Sequence, residues 1–546
     1  MGLNMRALEL HGRHIWSREA IARALDVAVR NGLDTLVLHE TDLVQMVTYP
    51  RSYLDPYGLW RNAPTRRGEN AIENNRVWLD HVCRMAAKRG VRVMVEVKEI
   101  GFPDEILELR PELLKDGVVC PSEPFWIEFI ERKTDEFLAD FPLVAGMISS
   151  AGSTEGKTSR AQNKCRCSLC EATSLEDWYL GIITALHRAT SRHGRLLAVR
   201  EFAYKPEDHA PLVAAIDRAP ADVILCSKAT PHDFYLGFPH NPAIGRPGRT
   251  QWIEYDTMGQ FWGWGLFPCM PLEDMRSRFV HAADKGVSGA SFRVEWERIN
   301  DLWSLDGLNA VNLILAAAFA AGAPIDATEA CRRWLADAGW PEEAAPWLGG
   351  VLSRTEAIVR GALYIDGFVF ADNSMYPRSL RRAWWGMETR DALHSWDPAR
   401  AADLVMDRAR VAGLIEEKRR AAGMASALAA DVRRGDTSVP PTLHAWLADI
   451  FDRMDVWIEG FRICGEVCLR ARWCDAEHRR DDGPGAADLL CFAAALDELE
   501  AFAESIRPIR ENAELCHQIV LLMDHRRAAD IAREGRMVLA RAQGEN

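Results

Sequence analysis

Short apolar runs and longer amphipathic stretches alternate along the first 325 or so residues of the chain. Eight of the short runs are rich in Val, Ile, Leu and Met, and they occupy residues 5–10, 34–39, 92–97, 143–149, 195–201, 222–227, 250–255 and 289–294. Strands that are buried on both faces of a parallel sheet have this character. The pattern therefore predicts eight strands.

The stretches between these runs have helical periodicity. Residues 18–31 place apolar side chains at i, i+3, i+4 and i+7 and end beside Gly32. Glycines also follow the helical patterns at 75–89, 175–193 and 272–285, where left-handed C-caps are common. Eight strand–helix pairs predict an α/β fold, the (β/α)8 TIM barrel. A doubly wound open sheet is the alternative, but no GxGxxG loop follows the first strand.

The strand pattern stops after Ile325, and the rest of the chain consists of helical patterns. They are interrupted by a loop at 364–379, expected to pack near the barrel, and by a turn at 481–486. The sequence therefore predicts two domains. Residues 1–325 form the catalytic barrel, and residues 326–546 form an all-α C-terminal domain.

Composition and charge narrow the range of partners. The 546 residues carry a net charge of −13, so neither nucleic acid nor an anionic membrane is an expected partner, since both require basic patches. The chain has no apolar stretch of membrane length and no apolar leader, which predicts a cytoplasmic protein. Its 13 cysteines are then expected to be reduced.

Charged and polar side chains gather at the predicted carboxyl ends of the strands, where barrel enzymes hold their catalytic groups. In strand order these candidates are His11, His14, His39, Glu40, Asp42, Lys98, Glu99, Glu155, Lys157, Arg200, Glu201, Tyr204, Lys228, His232, Asp233, Glu254, Asp256, Gln260, Arg293, Glu295 and Glu297. Facing carboxylates are typical of glycoside hydrolysis, and the cations suit an acidic substrate. For any one residue alone, a salt bridge at the rim is an equally ordinary role.

Four motifs at consecutive strand ends resemble those of the family 67 glycoside hydrolases, the α-glucuronidases, and the related family 115. They are GSTEGK at 152–157, AVREFAY at 198–204, SKATPHDF at 227–234 and EYDTMGQ at 254–260. The resemblance covers about residues 140–320. It implies an exo-acting enzyme that removes a uronic acid or another acidic sugar from an oligosaccharide, by inversion.

The resemblance implies catalytic roles for particular residues. Glu155 corresponds to the general acid. Either Asp233 or Asp256 corresponds to the base that activates water. Glu254 is an alternative base, because it shares a strand face with Asp256.

The substrate-binding set also follows from the resemblance. Arg200 and Lys228 correspond to the cations that hold the uronate carboxylate, and Tyr204 completes the second motif. The family has a lysine four residues before the acid, whereas this chain has Ala151. A third cation is then either missing or supplied by Lys157 or Arg293. The resemblance does not extend to the family's N-terminal sandwich domain, so the identity of the sugar stays open.

Glu155 lies in a predicted turn that is rich in Gly and Ser and follows the fourth strand, here called the Glu155 turn. Three cysteines, Cys165, Cys167 and Cys170, form the segment CRCSLC just after this turn. A zinc site would need a fourth ligand, and the spacing differs from the usual paired CxxC. Packing of the loop is therefore the predicted role, and no metal or cofactor is predicted.

Two other functions compete with the glycosidase. One is a metal-dependent barrel hydrolase or isomerase using His11, His39, Asp42 and Glu96, which lack an HxH or HExxH spacing. The other is a barrel that binds carbohydrate without catalysis. The predicted partner is a small oligosaccharide. In the resembling family the helical part helps to form a dimer, which makes a homodimer through residues 326–546 the candidate assembly.

Overall fold

The computed structural model describes residues 2–40, 43–57, 69–98, 100–153, 156–160, 164–203, 206–296, 303–383, 407–475 and 484–544. Eight parallel strands close into a barrel, in which each strand pairs with its neighbour in sequence and the last pairs with the first. They are β1 (Met5–His11), β2 (Thr35–His39), β3 (Arg92–Val97), β4 (Val144–Ser149), β5 (Leu196–Arg200), β6 (Ile224–Lys228), β7 (Gln251–Asp256) and β8 (Gly289–Arg293). The predicted barrel is confirmed.

The inside of the barrel changes from apolar to charged along the strands. Alternate residues face inward. The deeper inward positions form an apolar cluster of Met5, Ala7, Val37, Met94, Ile148, Ala198, Ile224, Cys226 and Trp252. The next inward positions of β1, β3, β5 and β7 are Glu9, Glu96, Arg200 and Glu254, all of them buried. The charged layer therefore lies toward the carboxyl ends of the strands, above an apolar floor.

Helices cover the outside of the barrel. The longer ones are Arg18–Arg30, Glu69–Ala87, Phe125–Asp140, Leu175–Arg192, Pro206–Arg218, Leu272–Asp284 and Ala310–Ala320. Shorter α-helices are Leu43–Val47, Arg51–Leu54, Glu105–Leu109 and Ser168–Ala172, with 3-10 turns at Gly12–Trp16, Asp55–Tyr57, Pro111–Leu113 and Ser304–Asp306. Four of the longer helices match the predicted patterns, and the glycines after them, Gly32, Gly90, Gly194 and Gly286, all have positive φ.

One of the eight predicted strand–helix pairs is wrong, because no helix follows β6. The connection between β6 and β7, residues 229–250, is fully described and contains turns instead of a helix. Pro231, Pro239, Pro242 and Pro247 interrupt this segment. Proline lacks the N–H that an interior helical residue donates, so their spacing prevents a helix from extending.

A helical region follows the barrel, as predicted. Its α-helices are Ala327–Ala338, Ala345–Leu352, Thr355–Leu363, Arg408–Arg434, Pro441–Cys474, Ala486–Glu511, His517–Leu522 and His525–Gln543, with a 3-10 turn at Glu342–Ala344. A small antiparallel hairpin pairs Tyr364–Ile365 with Phe368–Val369. No described helix has both the length and the apolarity that spanning a membrane requires.

The helical region packs directly on the barrel. Trp457 stacks on Phe267 with ring centroids 4.9 Å apart. The Ser374 hydroxyl donates to the Gln260 carbonyl (2.8 Å) and accepts from the Gly263 N–H (2.9 Å), which places the 364–379 loop beside the barrel, as expected. Buried side chains of both regions belong to one continuous apolar cluster. The division into domains at residue 325 stays a prediction.

Candidate active site

Arg200 occupies the centre of the charged layer, surrounded by three carboxylates from three strands. Its Nη2 lies 2.8 Å from Glu9 Oε2, its Nε lies 2.8 Å from Glu254 Oε2, and its Nη1 contacts Glu96. Burial alone would lower the pKa of Arg200, but the charges of Glu254 and Glu9 raise it above its usual value. The guanidinium therefore stays charged and holds the strand ends together.

Two histidines extend this network on the β1–β2 side. His11 Nε2 lies 2.6 Å from Glu9 Oε1, and His39 Nδ1 lies 2.6 Å from Glu96 Oε2. Burial lowers the pKa of His39 to about 3 and that of His11 well below its usual value. Both rings are therefore neutral near pH 7. Burial alone would raise the pKa of Glu9, but Arg200 and the two histidine contacts hold it well below the usual range.

Glu254 bridges two arginines. Its Oε2 faces Arg200, and its Oε1 lies 2.8 Å from Nη2 of Arg293 on the adjacent strand β8. Arg293 also donates through Nη1 to Gln260 Oε1 at 3.1 Å. Both oxygens of Glu254 are thus engaged by cations, which makes it a poor candidate for the base.

Asp256 holds the turn that follows β7. Its Oδ1 accepts the backbone N–H groups of Met258 (2.9 Å) and Gly259 (3.2 Å), and its Oδ2 accepts that of Gln260 (2.8 Å). Burial raises the pKa of Asp256 to about 6, although Arg293 and the three N–H groups act against this. Because both oxygens are committed to the backbone, the geometry favours Asp233 over Asp256 as the predicted base.

Lys228 and Asp233 form an ion pair at the end of β6. The Lys228 ammonium lies 4.0 Å and 4.8 Å from the ring centroids of Phe202 and Phe234. Burial alone would raise the pKa of Asp233, but Lys228 and His232 outweigh it and hold this pKa well below its usual range. The Asp233 side chain is 15% exposed, whereas those of Glu9, Glu96 and Glu254 are fully buried. Asp233 is therefore the ionised carboxylate of this group that solvent or substrate can reach.

Glu155 and Tyr204 lie outside the described residues, but both flanks of the Glu155 turn are described. On one side, Ser150 Oγ donates to Glu96 Oε1 at 2.7 Å, which ties the end of β4 to the charged layer. A Cβ on Gly152 would stand 2.3 Å from the carbonyl oxygen of Phe202, so the chain passes in close contact with the end of β5. The chain therefore enters this turn beside Phe202, whose ring also contacts the Lys228 ammonium.

Lys157, on the other flank of the turn, makes its contacts away from the charged layer. Its Nζ donates to the Phe102 carbonyl at 2.8 Å and pairs with Asp104. The side chain is 37% exposed. Arg293, by contrast, lies within the layer, 5.0 Å from the Phe234 ring centroid. Arg293 is thus better placed than Lys157 as a further cation beside Lys228.

A second pair of titratable groups lies between β1 and β8. His14 contacts Glu295, and the His14 ring stacks on Trp303 with centroids 4.5 Å apart. Burial raises the pKa of Glu295 above its usual value, although His14 acts to lower it. Glu295 is therefore a buried carboxyl that retains its proton more readily than a surface glutamate.

Sequence reasoning missed Glu9 as a candidate and considered Glu96 only as a metal ligand. A signal for both was present. Glu9 lies two residues before His11, and Glu96 lies two residues before Lys98, so each shares the inward strand face of a recognised candidate. The search for acids after the strand ends overlooked acids within the strands.

Comparison with known proteins supports the fold. No family model matches the sequence, and no curated protein sequence matches it. The structure is similar to that of a GH138 enzyme targeting pectin rhamnogalacturonan II, with a TM-score of 0.62 and 11% sequence identity. The match covers 92% of this chain but only 62% of that protein. At this identity the likeness establishes a shared fold.

Two further similar structures are also glycoside hydrolases. Thermobaculum terrenum O-GlcNAc hydrolase has a TM-score of 0.42 and 11% identity, over 100% of this chain and 97% of that one. Flavobacterium johnsoniae chitobiase has a TM-score of 0.40 and 11% identity, over 98% and 78%. Both are too distant to support an argument. Membership of family 67 or 115 stays a prediction.

Proposed function

We propose that this protein is a glycoside hydrolase that removes a uronic acid or another acidic sugar from the end of an oligosaccharide. One observation carries the proposal: Lys228 and Asp233 form a partly accessible ion pair, enclosed by Phe202 and Phe234, beside the start of the Glu155 turn. A cation, a carboxylate and aromatic faces are what recognition and hydrolysis of an acidic sugar require.

The Lys228–Asp233 pair gives an acidic substrate a specific advantage. Among the described residues, Asp233 is the ionic partner of Lys228. A sugar carboxylate that pairs with Lys228 would weaken the ion pair between Lys228 and Asp233. The pKa of Asp233 would then rise from its depressed value toward the range in which a carboxylate can take a proton from water. A neutral sugar would not have this effect.

In this proposal Glu155 protonates the glycosidic oxygen and Asp233 deprotonates the attacking water. Inversion then requires their carboxyl groups to stand roughly 6.5–9.5 Å apart. Arg293 supplies a second cation, and Tyr204 and Lys157 remain predicted members of the binding set. Arg200 and Glu254 have a positioning role instead, because they pair with one another within the charged layer. This pairing fixes the strand ends from which the reacting groups extend.

The similarity to the GH138 enzyme agrees with a carbohydrate substrate, since that enzyme is described as targeting a pectin polysaccharide. This chain spans 62% of that protein, so its own substrate is proposed from Lys228 and Asp233 and not transferred.

The test compares matched aryl glycosides that differ in whether carbon 6 carries a carboxylate or a hydroxymethyl group. We expect hydrolysis of the acidic sugar and little of the neutral one. Glu155→Gln should lower kcat by about 10²–10⁴-fold while substrate still binds. Asp233→Asn should give a similar loss. Glu112→Gln, at an exposed site paired with Arg110, is the control and should keep full activity.

Three results would count against the proposal. Full activity of Glu155→Gln would remove the proposed acid. An unchanged preference for the acidic sugar in Lys228→Met would remove the proposed recognition. Binding of the acidic sugar without any release of product would point to a carbohydrate-binding barrel.

A metal-dependent hydrolase is the second candidate, because ligand atoms of Glu9, His11 and His39 lie within 4.8 Å of one another. The position of Arg200 argues against it. Its Nη1 lies 3.1 Å from His39 Nδ1 and its Nη2 lies 2.8 Å from Glu9 Oε2, so a positive charge already occupies this set. We expect His39→Ala to leave the metal content unchanged. Loss of a metal ion together with activity in this variant would favour the metal-dependent enzyme.

A further inference from the structure

Four cysteine thiols meet in the connections that follow β3 and β4. The sequence supplies three of them in the segment CRCSLC, and the structure adds Cys120, which lies 47 residues before Cys167. The four Sγ atoms of Cys120, Cys165, Cys167 and Cys170 all lie within 4.8 Å of one another. Cys120 is therefore the fourth ligand that the CRCSLC segment lacks.

We propose that these four cysteines bind a structural zinc ion. The Sγ atom of Cys120 lies 3.5 Å from that of Cys167 and 3.4 Å from that of Cys170. A tetrahedral zinc with Zn–S bonds of about 2.3 Å places its sulfurs about 3.8 Å apart. The observed separations are close to this edge. A complete set of four soft sulfur ligands without an open position is typical of structural rather than catalytic zinc.

Burial and backbone hydrogen bonds act in opposite directions on the thiols of the cluster. Burial raises the pKa of Cys120 and of Cys165. Backbone N–H groups of Ser122 and Cys167 donate to the sulfurs of Cys120 and Cys165 and act in the opposite direction. Zinc would displace four protons and leave a centre of net charge −2, which these N–H groups would help to stabilise.

The Cys120 side of the cluster is held rigidly. The buried Trp126 indole donates to the Cys120 carbonyl at 2.9 Å, and the Trp178 indole donates to the Pro121 carbonyl at 2.8 Å. These two tryptophans lie on helices Phe125–Asp140 and Leu175–Arg192, which pack on one another. Cys120 is thus positioned by the barrel frame before any metal binds.

The other side of the cluster belongs to the connection that follows β4. Among the described residues, Cys120, Cys165 and Cys170 form an apolar cluster separate from the main core, with Val118, Cys167 and Leu169 packed against it. Cys165, Cys167 and Cys170 belong to the long connection from β4 to helix Leu175–Arg192, which also contains Glu155. Long connections with little structure of their own usually have a function or need an anchor. A zinc ion would fasten this connection to the barrel frame and close a large loop.

The test begins with the metal content of the full-length protein, purified under reducing conditions without a metal-affinity column. We expect about one zinc ion per chain, as a closed four-cysteine site binds one. After zinc removal, Co²⁺ should bind with the intense visible and near-ultraviolet absorption of a tetrahedral cobalt thiolate. This spectrum identifies the ligands without any variant, so it remains informative if a cysteine variant fails to fold.

Variants then locate the ion. Cys120→Ser should reduce the zinc content and lower Tm, whereas Cys167→His should retain zinc because imidazole can replace one thiolate. Cys491→Ser is the control, since Cys491 is exposed and lies outside the cluster. A protein that binds neither zinc nor Co²⁺, that contains iron in place of zinc, or that keeps its zinc in Cys120→Ser would overturn the proposal. Metal content is independent of the proposed glycosidase activity, so the two proposals can fail separately.

Discussion

Arg200 connects three strands of the barrel through single contacts to Glu9, Glu96 and Glu254. Each carboxylate is fully buried, so none can regain the water that it lost on folding. A buried carboxylate is tolerated in a protein interior when ionic and hydrogen-bonding partners replace the water that it lost. The charged layer is therefore one cooperative unit, in which the loss of one member removes part of the charge compensation of the others.

Replacing Arg200 by Met should destabilise the protein by about 3–5 kcal/mol, because it removes the cation that three buried carboxylates share. Two of these carboxylates keep another cation, since Glu254 keeps Arg293 and Glu96 keeps Lys98. Urea unfolding followed by tryptophan fluorescence measures the change. Arg84→Met is the matched control, since Arg84 pairs with Asp80 on the solvent-exposed face of a helix and should change stability very little. Equal effects of the two substitutions would contradict the description of the layer.

The stability of the protein should depend on the protonation of Asp256. Burial raises its pKa to about 6, whereas an aspartate in an unfolded chain has a pKa of about 3.9. The folded state binds this proton more tightly, so the contribution of Asp256 to stability is fully present below pH 4 and is lost as the pH rises through 6.

Asp256→Asn removes this titration. The difference in Tm between the variant and the original protein should therefore shift in favour of the variant between pH 4 and pH 7. Thermal unfolding at several pH values measures this difference. Asp284→Asn, at an exposed helix end, is the control for the substitution itself. A constant difference for Asp256→Asn between pH 4 and pH 7 would refute the assignment.

The connection that follows β4 joins the proposed active site to the proposed zinc site. It begins in contact with β5 at Gly152 and ends with the cysteines that meet Cys120. Its short helix Ser168–Ala172 contains Cys170 and precedes helix Leu175–Arg192. We therefore expect contacts at both ends of this connection to affect the proposed general acid, Glu155.

Gly152→Ala tests the first of these contacts. The new Cβ would meet the carbonyl oxygen of Phe202 at 2.3 Å, and backbone at that distance cannot move aside cheaply. We expect a loss of about 1–3 kcal/mol in stability and a lower kcat, since the start of the Glu155 turn must shift. Gly350→Ala is the control. A Cβ there meets nothing within 4 Å and lies in a helix, so this variant should be as stable as the original or slightly more so.

At the scale of the whole molecule, the helical region supports the barrel at the end of β7. The Trp457 indole donates to the Ser374 carbonyl at 3.0 Å, and the Ser374 side chain bonds to the backbone of Gln260 and Gly263. The chain from Asp256 to Gly263 is therefore held by the strand on one side and by the helical region on the other. Substitutions in the helical region should therefore alter the carboxyl-end face of the barrel through the contacts of Trp457 and Ser374.

Trp457→Ala should destabilise the protein by about 3–5 kcal/mol, because it removes a fully buried aromatic ring. It should also lower hydrolytic activity at temperatures at which the protein remains folded. Calorimetry and kinetics on the same preparation measure both effects. Trp446→Ala, in the same helix but 37% exposed, is the matched control and should have a much smaller effect. Independent melting of the barrel and the helical region in Trp457→Ala would show that the contact is dispensable for the barrel.

The sequence by itself determined the barrel, the order of its strands and the helical region that follows. Apolar periodicity, glycine caps and proline-rich interruptions are local properties of the chain, and they suffice because each strand pairs with its neighbour in sequence. The same reasoning placed Arg200, Lys228, Asp233, Glu254 and Arg293 at the carboxyl ends of the strands. It overlooked the prolines that prevent a helix between β6 and β7, and it missed Glu9.

Only the tertiary structure decided how these residues pair. Arg200 meets Glu9 and Glu96 because strands distant in sequence converge inside a closed barrel, and Asp256 turns to the backbone because its own loop folds over it. Cys120 completes a ligand set with cysteines 45 to 50 residues later for the same reason. Partners of this kind depend on distances across the fold, which no local pattern in the sequence encodes.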